Sequence, residues 1–134
     1  MSERLGLPKL VNVSVEAYRM FKAMCREESD DQKDGKKEAV FDNYGQAFLL
    51  SVALGISNSE KLPVGEDRHW LVRSEYIAGY YEPYRQLLKS KFPASTDEEI
   101  VQMMVEFSEA GVRSLFDEFR KTGTIDFARL STLG

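Results

Sequence analysis

The residues best able to stack on a ring or pair with an anion fall in one stretch: Tyr76, Tyr80, Tyr81 and Tyr84, followed at once by Arg85, Lys89 and Lys91. Tyr76, Tyr80 and Tyr84 are spaced i, i+4, i+8, so a helix continuing through Pro83 would set them on one face. Tyrosine joins a large apolar ring to a polar tip, which suits half-wet interfaces. Aromatic rings beside cations can also grip a nucleic acid by stacking and phosphate contact. An aromatic stripe at helical spacing is more often core, with a protein interface second and nucleic acid third. We take Tyr76, Tyr80, Tyr84, Arg85 and Lys89 as candidate partner-binding residues.

The remaining chemistry is thin. A zinc site built on sulfur and imidazole needs several ligands, and the chain has one histidine and one cysteine. His69 has no evident catalytic partner, and Cys25 falls on an apolar helix face, where it reads as a small core residue. Neither the glycine at 6 nor that at 65 belongs to a phosphate-binding loop, and no GxSxG elbow occurs. The acidic pairs Glu98–Glu99 and Asp30–Asp31 sit at a helix start and in a polar segment, where dipole compensation and solvation explain them. No catalytic residue, cofactor or metal is expected, and an enzyme is the least supported class.

A second candidate lies at the N-terminus. An extended segment at about 9–13, a capped helix, a loop and an apolar helix follow the order of a ribbon-helix-helix element, in which paired strands enter the major groove. Lys9 and Asn12 are its base-reading residue types, and the loop at 28–38 is long for that motif.

Positioning these groups falls to a set of helices. Residues 47–54 are apolar on nearly every face, so this segment should be a central helix with neighbours on several sides, capped by Asp42 or Asn43 and ended by Gly55. Pro8 and the run at 10–13 suit a short extended segment, after which Ser14 should cap a helix at 15–27 with a staple between Val13 and Tyr18. Residues 26–38 carry ten charges in thirteen positions and no apolar side chain, the composition of a mobile charged loop. A second loop is expected over 56–68. Trp70, Leu71 and Val72 read as one extended turn that drops an aromatic onto the core. Pro83 should divide the next region into helices at 74–81 and 83–91.

Thr96 and Glu99 form a capping box for a long helix ending before Gly123, with Ile100, Met103, Met104, Phe107, Gly111, Val112, Leu115 and Phe119 as its apolar stripe. That stripe should face the central helix, and Gly111 within it implies close approach of another backbone. Thr124 would cap a last short helix with Ile125, Phe127 and Leu130 turned inward. The sum is an all-α, single-domain bundle of five to six helices around a central buried helix, with a short N-terminal strand.

At 134 residues, 43% hydrophobic and 30% charged, the composition is that of one globular domain. No apolar run approaches the ~20 residues that span a bilayer. With no secretory signal visible and a single cysteine, we expect a cytoplasmic protein. The net charge of −4 argues against indiscriminate binding to phosphate backbones.

The segments 41–56 (FDNYGQAFLLSVALGI), 61–64 (KLPV) and 107–115 (FSEAGVRSL) resemble a group of small prokaryotic Dnd system-associated proteins, encoded beside DNA phosphorothioation and phage-defence genes. The resemblance spans about two-thirds of the chain and rests on hydrophobic patterns with glycines; the tyrosine-rich stretch and the 28–38 segment have no counterpart in it. It implies no catalytic residues. It does imply an accessory protein bound to a larger subunit of a defence or DNA-modification complex. The expected function is therefore a non-catalytic adaptor, with a DNA-binding regulator as the alternative, and homo-oligomerisation left open.

Overall fold

The computed structural model describes residues 8–25, 41 and 43–125. Their order is β1 (Leu10–Ser14), α1 (Val15–Met24), α2 (Tyr44–Asn58), β2 (Arg68–Arg73), a 3-10 turn (Ser74–Tyr76), α3 (Ala78–Lys91) and α4 (Asp97–Thr122). The expected five to six helices are thus corrected to four α-helices and a two-stranded antiparallel sheet among the described residues, of which 67% are helical. The expected charged loop at 28–38 and most of the last short helix lie outside the described residues, although Ile125 is buried.

The termini of the helices follow from local chemistry. Ser14 caps α1, its hydroxyl accepting from Ala17 N at 3.0 Å, and Asn43 caps α2 by accepting from Gln46 N at 2.8 Å. At α4 both halves of the capping box form: Glu99 N donates to Thr96 Oγ1 at 3.2 Å, and Thr96 N donates to Glu99 Oε1 at 2.7 Å. Gly123 ends α4 with a left-handed φ of 81°. Helix α1 stops at Met24, short of the expected end, because Cys25 turns extended and pairs with Phe41 as an isolated parallel bridge.

Pro83 lies inside one helix instead of dividing two. Proline removes only its bond to the carbonyl of Gly79, and both residues are exposed, so water can satisfy that oxygen. The 3-10 turn absorbs the start of the region expected to be helical from 74.

Helix α2 also departs from expectation at its end. Gly55 does not terminate it; Ser59 takes the left-handed conformation (φ 56°, ψ 41°), and Glu60 N closes the end by donating to Gly55 O at 2.9 Å. Gly55 is used instead at the crossing with α4. A Cβ on Gly55 would stand 2.2 Å from Phe107 O, and one on Gly111 would stand 1.9 Å from Ser51 O. Ascending from 51 to 55 on α2 corresponds to descending from 111 to 107 on α4, so the two helices run antiparallel with their backbones in contact. Phe48, Val52, Met104, Val112 and Leu115 fill the space around this crossing and are buried. All of the apolar stripe expected on α4 is buried, as is Glu109.

The sheet explains another correction. β1 and β2 pair antiparallel with Val11 opposite Val72 and Asn12 opposite Trp70, which leaves Leu71 as the extra residue of a β-bulge. The bulge breaks the two-residue alternation, so Leu71 and Val72 are both buried and Trp70 is 52% exposed instead of resting on the core. No helix among the described residues is long and apolar enough to cross a membrane.

Candidate functional site

The side chains around β2 form the most distinctive surface of the molecule. His69 stacks on Tyr18 of α1 with ring centroids 3.9 Å apart and 17° between planes, and the ring of Tyr44 of α2 is 6.3 Å from that of Tyr18. His69 Nδ1 is 2.6 Å from the carbonyl oxygen of Trp70; a carbonyl only accepts, so this nitrogen carries the proton. The lone histidine is therefore held by stacking and by its own strand.

Beside this cluster runs a groove of about 580 Å³, lined by Asn43, Tyr44 and Gly45 from the start of α2, Trp70, Leu71, Val72 and Arg73 from β2, and Tyr76 from the 3-10 turn. Its size is within the range of ligand and peptide clefts. Tyr76 is 66% exposed. Among the described residues, Arg73 is the only one with a charged side chain in the lining, and its guanidinium makes no hydrogen bond or ion pair with them. Asn43 is committed to its helix cap. A second depression, of about 550 Å³, lies between the Ser59–Leu62 loop and α4 and is more polar, with Arg113 and Asp117 in its wall.

The residues expected to bind a partner through one helical stripe are not on one helix. Tyr76 belongs to the 3-10 turn, while Tyr80 and Tyr84 belong to α3. Tyr80 is 64% exposed, but Tyr84 is half-buried and donates its hydroxyl to Leu49 O at 3.0 Å; that burial raises its pKa above the ordinary tyrosine value. Arg85 donates to Asp97 Oδ1 at 3.0 Å and to Glu82 Oε2 at 3.2 Å, and Lys89 donates to Ser95 O at 2.7 Å. The hydrogen bond to Asp97 pushes the Arg85 pKa up further. Arg85 and Lys89 tie α3 to the start of α4, and Tyr84 ties it to α2. Tyr81, not among the candidates, is fully buried, and its hydroxyl has no partner among the described residues.

The N-terminal candidates come beside β2 and the 3-10 turn. Lys9 is exposed, and its carbonyl accepts from Ser74 N at 3.1 Å, while the Ser74 hydroxyl bonds to Pro8 O. Asn12 is exposed opposite Trp70, and Leu10 stands opposite Arg73. β2 thus links two regions that looked unrelated, and it supplies Trp70 and Arg73, which sequence reasoning missed. The signal that could have found them is the unit Arg-His-Trp-Leu-Val-Arg at 68–73, rich in strand formers and flanked by arginines.

Elsewhere, one buried charge has a structural role. Glu109 of α4 is 0% exposed; it accepts from Ser14 N at 2.8 Å, from Ser14 Oγ at 2.7 Å and from Arg113 Nη1 at 3.1 Å. Arg113 reaches onward to Glu16 at 3.3 Å. The chain Arg113–Glu109–Ser14 fastens the junction of β1 and α1 to the middle of α4. Cys25 is buried among core side chains, and no group of three or more potential ligands is placed to hold a metal ion among the described residues. No family model, curated protein or solved structure matches the chain.

Proposed function

We propose that this chain is a non-catalytic accessory protein of the cytoplasm that docks a larger protein partner through the aromatic groove beside β2. The observation that carries this reading is the exposure of Trp70 and Tyr76 around a groove in which, among the described residues, Arg73 is the one charged side chain and is unpaired. Tryptophan, tyrosine and arginine are the residue types that dominate interface energetics. The stacking of His69 on Tyr18 and the core position of Cys25 support a role without nucleophilic or acid–base chemistry. The resemblance of segments 41–56 and 107–115 to Dnd system-associated proteins supports a partner drawn from a prokaryotic DNA-modification or phage-defence assembly.

Affinity capture from the native host tests the docking role. The wild-type chain should bring down one stoichiometric companion, and the double variant Trp70→Ala, Tyr76→Ala should retain at least tenfold less of it while melting at the same temperature. A wild-type chain that emerges alone overturns the reading.

One observation favours a DNA-binding regulator as the second reading. β1 and β2 make a two-stranded ribbon carrying Asn12, Trp70 and Arg73 on exposed positions, and a ribbon of this kind fits a DNA major groove. In that case affinity for duplex or single-stranded DNA at low salt should be tighter than about a micromolar and should weaken on removing charge at Lys9 and Arg73.

A further inference from the structure

The groove is bounded by four consecutive residues of β2, Trp70, Leu71, Val72 and Arg73. Trp70 and Arg73 are exposed while Leu71 and Val72 turn to the buried side, so a groove touching all four meets both faces and runs along the strand's edge. β2 belongs to a sheet of two strands and gives one edge to β1. Its other edge faces the groove, with the first turn of α2 as the opposite wall. An open strand edge presents a row of backbone donors and acceptors that an added strand can satisfy. The charge of the lining decides what that strand should carry: among the described residues Arg73 is present and no carboxylate is.

We infer that the groove takes an extended, acidic segment of a partner protein, which adds to β2 as a third strand, packs an apolar side chain against Trp70 and Tyr76, and sets a carboxylate on Arg73. The inference rests on the docking role proposed above and specifies its chemistry. Backbone hydrogen bonds supply affinity in this mode, and side chains at alternate positions supply selectivity. A run of phosphates fits less well, because Glu66, Asp67 and Glu75 are exposed beside the arginines of β2 and repel a polyanion. A segment with one or two carboxylates needs only the Arg73 contact.

The test is selection of a random dodecapeptide library displayed on phage against the full chain, with Arg73→Glu and Trp70→Ala as parallel baits. Both side chains are exposed, so the variants should keep the wild-type melting temperature, which is measured first. Wild type should enrich peptides that alternate apolar and polar residues and carry an acidic residue near an apolar one. Arg73→Glu should shift the preference from acidic to basic peptides. A selected peptide should bind Trp70→Ala at least tenfold more weakly, and N-methylation of its alternate backbone amides should cost tenfold or more.

Enrichment of nothing, enrichment indifferent to Arg73→Glu, tolerance of N-methylation, displacement by a ten-nucleotide thymidine oligomer, or occlusion of the groove by a second copy of the chain would each overturn the inference. Failure here is distinguishable from failure of the docking role. A host companion lost on Trp70→Ala, Tyr76→Ala with no acidic selection leaves the docking role standing and removes the strand addition. Acidic selection with no host companion does the reverse.

Discussion

Tyr81 shows what a single side chain can reveal about the core. Its phenol is buried in α3 near Asp97, Arg85 and Glu82, without a hydrogen-bond partner among the described residues, and burial, with help from Asp97, pushes its pKa up to about 12. The fold therefore favours the neutral phenol. Its contribution is complete below pH 10, the ordinary tyrosine value, and is lost as the pH climbs toward 12; the loss is on the order of 2–3 kcal/mol. Tyr81→Phe removes a hydroxyl that forms no bond, so we expect it to raise stability by about 1 kcal/mol at neutral pH. It should also flatten the alkaline part of the unfolding curve between pH 10 and 12. Urea titrations of both proteins across that range check the expectation. A variant that is less stable at pH 7 would mean the hydroxyl has a partner after all.

At the scale of elements, three of the four helical glycines among the described residues separate into two kinds. Gly55 and Gly111 sit where α2 and α4 touch backbone to backbone, and a methyl group at Gly111 would fall 1.9 Å from Ser51 O, a position that can be relieved only by moving a helix. Gly79 of α3 faces open space. Gly111→Ala should therefore destabilise the protein by ~2 kcal/mol or more through overpacking, whereas Gly79→Ala should stabilise it by up to ~1 kcal/mol through helix propensity. Thermal unfolding of the pair decides the matter; equal shifts would contradict the close crossing.

The close approach at Gly111 was readable from sequence, because a glycine amid an apolar helical stripe has few other uses. Its counterpart Gly55 was not, since a glycine near the end of an apolar run looks like a terminator, and only the left-handed Ser59 shows that the helix continues. β2 was hidden for a related reason: the bulge at Leu71 removes the period of two by which strands are recognised. With β2 went half of the candidate site, Trp70 and Arg73. Tyr84, Arg85 and Lys89 looked available because their partners, Leu49 O, Asp97 and Ser95 O, lie on other segments, and side-chain spacing carries no information about such contacts.

For the molecule as a whole, the bond network at Glu109 matters most. A glutamate in a long helix reads as a solvent-facing residue, yet this one reaches across 95 positions to Ser14. Glu109→Ala would leave the Ser14 amide without its acceptor and deprive the half-buried Arg113 of its nearest carboxylate. Breaking a buried pair in this way costs on the order of 3–5 kcal/mol, and chemical denaturation should show it as a lower midpoint with little change in slope. A loss within experimental error would reduce the network to an incidental contact. The apolar character of α2 and the course of α4 were legible from hydrophobic pattern and caps; this polar link from β1 to the middle of α4 was not.

The same link sets an order of events during synthesis. β1 and α1 are made before the residues that hold them: their ladder partner comes only with residues 68–73, and their anchor only with residue 109. β1 and α1 cannot settle until α4 has been made, so a chain stalled before residue 109 would present an unfinished core to chaperones.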